Sequence, residues 1–259
     1  MSRSDWADHA WSLALAPPLA PALHMALDDL MLADVAAGRR PPTLRVWEWA
    51  GPAVVLGRFQ SVRNEVDADA ARRHGIEVVR RISGGGAMFI EPGNTITYSI
   101  VAPETLVDGM TFEQAYAFMD QWVIAALGAL GVDAWYQPLN DIASSVGKIA
   151  GAAQARRGGA VLHHVTMAYD IDAVKMLEVL RVGREKLSDK GTASAAKRVD
   201  PLRRQTGMAR EAVIAHMIDT FAGRHGGLVR EPLDPDELAR AQALADEKFS
   251  HPAWVGLLP

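Results

Sequence analysis

The sequence predicts an α+β fold, and three observations carry that reading. Strand-like segments gather in two stretches, near residues 44–100 and 131–172. Helical segments stand in blocks between and after them. No regular strand–helix–strand alternation, the mark of a doubly wound sheet, runs along the chain. With 259 residues, 49% of them apolar, the chain can bury a real core as one large domain with at most a small appendage.

The elements follow in order. Leu23, Leu27, Leu30 and Met31 recur at helical spacing, and Gly38 ends that helix. Leu44–Trp49 and Ala53–Gly57 read as two short strands joined by a turn at Gly51-Pro52. "VDADAARRHG" is a short helix stopped by Gly75, and "IEVVRRI" is a strand that runs straight into three glycines. "NTITYSIV" alternates polar and apolar residues and is the next strand. Thr111 and Gln114 form a capping-box pattern at the start of a long helix. From Gly131 to Asp172 short strands and turns are expected. Helices resume in "AVKMLEVL", "REAVIAHMIDTFAGRHG" and "DPDELARAQALADEKFS", with a charged connector between the first two.

Composition removes several classes of function. A net charge of −4 gives no basic excess for nucleic acid. There is no cysteine, which rules out disulfides, thiolate metal sites and a Cys nucleophile and fits a reducing cytoplasm. No His/Asp/Glu group has metal-ligand spacing, and no apolar run is long enough to span a membrane. The N-terminal apolar stretch is broken by Pro17, Pro18 and Pro21 and preceded by Asp5, Asp8 and His9, so no cleaved signal is expected.

Three stretches carry chemistry. In "RRISGGGAMFIEPGN", a strand, three glycines and then apolar residues make a loop whose backbone can approach a ligand closely. Its N–H groups can converge on an anion. Arg80 and Arg81 add guanidinium forks suited to phosphate or carboxylate, and Ser83 adds a hydroxyl. No Gly-Lys-Ser/Thr follows, so this is not a Walker loop. The plain alternative is a flexible turn. In "GKIAGAAQARRGGAVLHH", Lys148 stands among glycines and alanines, where it can bring a point charge to a ligand oxygen or simply be a surface lysine. His163 and His164 are adjacent on a strand and point to opposite faces, so they are no metal pair. "AAKRVDPLRRQTG" is a basic loop.

Together these stretches resemble the lipoate–protein ligase A family of the biotin/lipoate ligase superfamily, over about residues 23–226. Gly57, Arg58 and Gln60 resemble the Gly-Arg-x-Gln that ends the family's strand pair. "RRISGGGAMF…GN" resembles its lipoate-binding signature, "NDI…GKIAGAAQ…LHH" its lysine loop, and "KRVDPL" its adenylate-binding loop. The resemblance implies a biotin/lipoate ligase-type catalytic domain: a large mixed or antiparallel sheet, a smaller sheet and flanking helices. It implies that Lys148 is catalytic, bridging the lipoate carboxylate and the α-phosphate of ATP. Arg81, Ser83, Gly84, Gly85, Gly86, Ala87, Met88 and Asn94 would hold the acyl group and adenylate. Gly151, Ala152, His164, Lys197, Arg198 and Val199 would complete the site. Lipoate and Mg-ATP would give lipoyl-AMP, and a lysine of a lipoyl carrier domain would then take the acyl group.

Ile90-Glu91 and Val165-Thr166 depart from the family's His-Asp and Gly-Thr. Only 33 residues follow Gly226, too few for an independent core, so a C-terminal helix and tail are expected rather than an accessory domain. That resembles the short ligases, some of which need a small separate subunit. Octanoyl transferases share the fold, but those most like ligases work through a Cys thioester, which this composition excludes. Biotin ligases carry alternating Gly and Arg where this chain has Ser-Gly-Gly-Gly-Ala. The remaining alternative is a carrier-binding or assembly protein that keeps the fold without adenylation.

Overall fold

The computed structural model describes residues 3–181 and 199–258. Eleven strands among these residues form two sheets. The large sheet takes β1 (Ser12–Leu15), β2 (Thr43–Trp47), β6 (Thr95–Pro103), β7 (Trp135–Gln137), β8 (Asp141–Ala143), β9 (Lys148–Arg157), β10 (Ala160–Ala168) and β11 (Val229–Arg230). Its order is β11-β1-β2-β6-β10-β9-β8-β7. The β11–β1–β2 edge is parallel and the rest antiparallel, so the sheet is mixed. The small sheet is β4 (Glu77–Arg80), β3 (Ala53–Leu56) and β5 (Met88–Ile90). This is the expected α+β architecture.

Two sequence expectations change. The strands at 43–47 and 53–56 are consecutive but do not pair: the turn at Gly51-Pro52 carries the chain from the large sheet to the small one. β1 lies in the N-terminal apolar stretch, to which the sequence reading assigns no element. Trp6 and Trp11 precede it and are buried in the core, tilted at 5.2 Å, and β1 itself is buried over Ser12–Ala14.

Helix α1 (Pro21–Ala36) lies against one face of the large sheet and is buried on nearly every side. Its outer side is covered by the C-terminal helix Pro235–Leu244 and the turn Ala245–Phe249. The other face of the sheet is covered by α4 (Phe112–Ala129) and the helix Arg210–Arg224, which meet through Trp122 and Phe221. Helix α4 begins at the expected box, with Thr111 Oγ1 accepting from the Gln114 N–H at 3.2 Å and the Gln114 side chain answering at 2.9 Å.

Because both faces of the sheet are covered, its strands bury both rows of side chains. In β6, Ile96, Tyr98 and Ile100 face α4, while Thr97 and Ser99 face α1. The polar row is therefore not solvated. Trp49 and Trp47 donate their indole N–H groups to Thr97 and Ser99, at 3.2 and 2.8 Å. The adjacent histidines of β10 behave as their spacing predicts. His163 Nε2 meets Asp120 of α4 at 2.8 Å, and His164 Nδ1 meets Asp28 of α1 at 2.7 Å. One histidine thus fastens a helix to each face.

Candidate active site

The glycine loop, residues 83–87, connects β4 to β5 and packs against the turn that ends β3. Arg58 N–H donates to the Ser83 carbonyl at 2.8 Å. A Cβ on Gly57 would stand 2.1 Å from the Gly85 carbonyl oxygen, so only glycine fits there. Gly85 itself has φ +90°, a conformation open to glycine.

The two arginines before the loop do different work. Arg80 is buried and donates to the carbonyls of Gly57, Arg58, Gln60, Trp254 and Val255, stitching the C-terminal tail beneath the loop. Arg81 braces the loop from within. Its guanidinium donates to the carbonyls of Val55 (3.1 Å), Gly84 (2.6 Å) and Gly86 (2.9 Å) and to Ser83 Oγ (3.0 Å). All four partners are neutral. Burial pulls the Arg81 guanidinium down to about 10, and it remains a cation at neutral pH.

Beside this loop lies a cavity of about 220 Å³. Met88 and Phe89 of β5, with Ile171, Met176 and Leu180 in and around α5 (Ala173–Val179), give it apolar walls. Its other wall is the β9 backbone from Lys148 to Ala153, where glycine and alanine leave main chain exposed to a ligand. Arg81, Asn140, Lys148 and Thr166 are its polar contributors.

Lys148 sits at the start of β9, half-exposed, with Nζ 2.6 Å from Asp141 Oδ1 on β8. A Cβ on Gly151 would lie 2.9 Å from that Nζ, so the glycine keeps the path of the lysine side chain clear. The segment after the connector returns here: Val199 bridges to Lys148, and the Asp200 N–H donates to the Lys148 carbonyl at 2.8 Å. The Ser144 hydroxyl also donates to Asp200.

Of the residues singled out by sequence, Arg81, Gly86, Ala87, Met88, Lys148, Gly151, Ala152 and Val199 line this one cavity. Gly84 and Gly85 shape the loop behind it, with Gly84 facing Phe59 at 3.8 Å. Ser83 and His164 are buried behind the loop, where Ser83 Oγ meets His164 Nε2 at 2.6 Å. Asn94 is placed elsewhere. Its carbonyl receives the N–H groups of Tyr169 and Asp170, and its amide donates to Glu91, so it fastens a turn to the end of β10. Lys197 and Arg198 lie outside the described residues. Glu91, one of the two departures from the family pattern, pairs with Lys175 of α5 at 2.5 Å and ties that helix to β5.

Sequence reasoning passed over Asp28 and the wall contributed by α5, and it met Asn140, Asp141 and Thr166 only as parts of the motifs, without giving them a place in the site. Asp28 had a signal: two aspartates interrupt the apolar run "MALDDLML", and a carboxylate inside a buried helix needs a partner. The α5 wall had none, because Met176 and Leu180 look like any amphipathic helix.

The sequence profile of the lipoyl protein ligase A/B catalytic domain matches residues 20–222. The chain belongs to that family. A chain from an archaeal lipoylation system of Thermoplasma acidophilum, a bipartite lipoate protein ligase described with its E2 lipoyl domain, superposes with a TM-score of 0.84. It is 30% identical and covers 97% of each chain. A lipoate-protein ligase A bound with ATP gives 0.83 at 28% identity, covering 96% of this chain and 100% of that one. A Thermoplasma acidophilum protein described as a putative lipoate protein ligase with bound lipoic acid gives 0.79 at 26% identity, covering 96% and 99%. The octanoyltransferase LipM of Symbiobacterium thermophilum is 30% identical over 89% of this chain and 92% of its own. This protein is thus an enzyme of the family that acts in protein lipoylation, on the lipoate ligase-type catalytic fold.

Proposed function

We propose that the protein is an ATP-dependent lipoate–protein ligase. The observation that carries the reading is Lys148, a cation at the mouth of an apolar cavity walled by bare main chain, in a chain without cysteine. Ligases of the same fold described with ATP and with lipoic acid support it.

In the first step the lipoate carboxylate attacks the α-phosphorus of ATP. A bond forms from the carboxylate oxygen to the α-phosphorus, the bond from that phosphorus to the oxygen bridging to the β-phosphate breaks, and pyrophosphate leaves with that oxygen, magnesium travelling with the nucleotide as part of the substrate. Both partners are anions, so their approach is opposed until a cation lies between them. Lys148 supplies that charge, and fixed charge aimed at such a centre is commonly the largest contribution to catalysis. Asp141 holds the ammonium in place beforehand. In the second step the amine of a carrier lysine attacks the acyl carbonyl of lipoyl-AMP, giving an amide and AMP. Val199, with Lys197 and Arg198 before it, is assigned to the adenylate. The carrier is a lipoyl domain, and the bipartite archaeal relative supports a separate accessory subunit as second partner. The cytoplasm is the compartment proposed for this chemistry.

Pyrophosphate release on mixing protein, ATP and lipoate tests the reading. Release should require all three, and Lys148→Ala should lower the rate about 10²- to 10³-fold. Release that ignores lipoate or Lys148 would overturn it.

A second reading has its own support: the octanoyltransferases LipM of Geobacillus kaustophilus and Symbiobacterium thermophilum are 28% and 30% identical to this chain. A transferase would take octanoate from a thioester donor and need no ATP. With no cysteine to carry the acyl group, transfer would have to pass directly to the carrier lysine or through another nucleophile. Acyl transfer without nucleotide would establish this alternative.

A further inference from the structure

We propose that Asp28 is a positioning residue. It sets the proton on His164, and through His164 and Ser83 it locks Arg81 and the glycine loop of the acyl site.

The contacts form one unbroken chain from a helix to the loop. Asp28 Oδ1 accepts from Arg45 Nη2 and from Ser99 Oγ, both at 2.7 Å. Asp28 Oδ2 faces His164 Nδ1 at 2.7 Å, His164 Nε2 faces Ser83 Oγ at 2.6 Å, and Ser83 Oγ accepts from Arg81 Nε at 3.0 Å. All these side chains are buried.

The directions follow from the ends. Asp28 is ionised: burial pushes its carboxyl up, but Arg45 and the hydrogen bonds from His164 and Ser99 reverse this and hold it below the ordinary range. An ionised carboxylate only accepts, so His164 carries its proton on Nδ1. Nε2 is then an acceptor, and the Ser83 hydroxyl donates a hydrogen bond to it. That leaves the Ser83 lone pairs for Arg81. Burial holds His164 below its ordinary value, so the ring stays neutral.

Among the described residues the Arg81 guanidinium is held by carbonyls and a hydroxyl rather than by a carboxylate. Asp28, at the far end of these contacts, is already neutralised by Arg45 and is separated from Arg81 by a neutral imidazole and a hydroxyl. Arg81 therefore keeps its charge beside the cavity while its geometry is fixed. The loop it braces is the one the ligase reading assigns to the acyl adenylate, and in that respect the inference rests on that reading.

Asp28→Asn reverses the chain. Arg45 and Ser99 hold the amide oxygen, and the amide N–H₂ turns to His164. The ring must then accept at Nδ1 and carry its proton on Nε2, which points a second donor at Ser83. The test is ¹⁵N NMR of the His164 imidazole, with hydrogen exchange of residues 83–87 and steady-state kinetics on the same samples. The wild type should show the Nδ1–H form and Asp28→Asn the Nε2–H form. Loop exchange should rise about 5- to 10-fold, the effect of losing one net hydrogen bond. KM for the acyl acid should rise more than kcat falls.

Ser83→Ala guards against a misfolded Asp28 variant. It should keep the Nδ1–H form, because the Asp28–Arg45 end is intact, yet still loosen the loop. Ser83→Thr should restore protection. An Nε2–H wild type, or loop exchange unchanged in Ser83→Ala, would overturn the proposal. So would an acyl adduct on Ser83, which would make that residue a nucleophile instead. Tautomer and exchange are read without turnover, so an inactive wild type would count against the ligase reading alone.

Discussion

Lys148 and its neighbouring glycine show how single side chains divide the work. Gly151 faces the mobile end of a lysine, whereas Gly57 faces a carbonyl oxygen of the loop backbone. Alanine at the two positions should therefore act differently. Gly151→Ala displaces an ammonium that can swing away, so activity should fall at least tenfold while thermal stability changes little. Gly57→Ala forces the loop backbone to move and should cost about 1–3 kcal/mol, as overpacking does. Thermal melts beside pyrophosphate assays separate the two outcomes. Much of this site was readable as residue types: Gly86, Gly151, Arg81 and Lys148 all line one cavity. Asn94 was not, because an asparagine after a Pro-Gly turn has the same appearance whether it meets a ligand or fastens the next strand. Nor could the sequence show that Arg80 and Arg81, adjacent and identical, point to different tasks. Strand alternation sends them to opposite sides, and only the packing says what waits there.

Elements were legible where their signals were local. The capping box at Thr111, the period of two in β6 and the opposed faces of His163 and His164 all hold. The pairing of β3 with β4 and β5, rather than with β2, was hidden, because partner choice depends on residues far along the chain. The helix Leu202–Thr206 falls in what reads as connector, since "PLRRQTG" is too short for a periodic signal. The C-terminal tail is fastened at Arg80: the Trp254 indole donates to the Arg80 carbonyl at 2.9 Å, and the Arg80 guanidinium answers to Trp254 and Val255. Trp254→Ala should cost about 1–3 kcal/mol by removing this hydrogen bond and the packing on Phe249. Denaturant melts read that cost. Exchange at residues 57–60 should rise with it if the tail supports the loop from below.

At the scale of the whole molecule, burying α1 against both sheets sets a limit in acid. His24 is buried between Trp47 and Arg45, donates to the Glu48 carbonyl at 2.8 Å, and is held down to about 3, by burial first and then by the Arg45 charge. His225, stacked on Trp6, is lowered to about 4 by burial and by Arg224. Both take up protons on unfolding, so their contribution is complete above about pH 6.5 and is lost as pH falls toward 4 and then 3. The loss should be about 1.4 kcal/mol per pH unit for His24 alone. Urea midpoints from pH 7 to 4 should therefore fall steadily, and His24→Gln should flatten the slope. The same frame places a cation, a bare backbone wall and an apolar cavity together, and that juxtaposition is the ground for assigning adenylation. The most direct test offers purified protein either lipoate with Mg-ATP or an octanoyl thioester donor without nucleotide, with a lipoyl domain as acceptor. Acyl-domain formed only with ATP, accompanied by pyrophosphate and lost in Lys148→Ala, is the predicted result. Acylation from the thioester alone, unaffected by ATP, would contradict it.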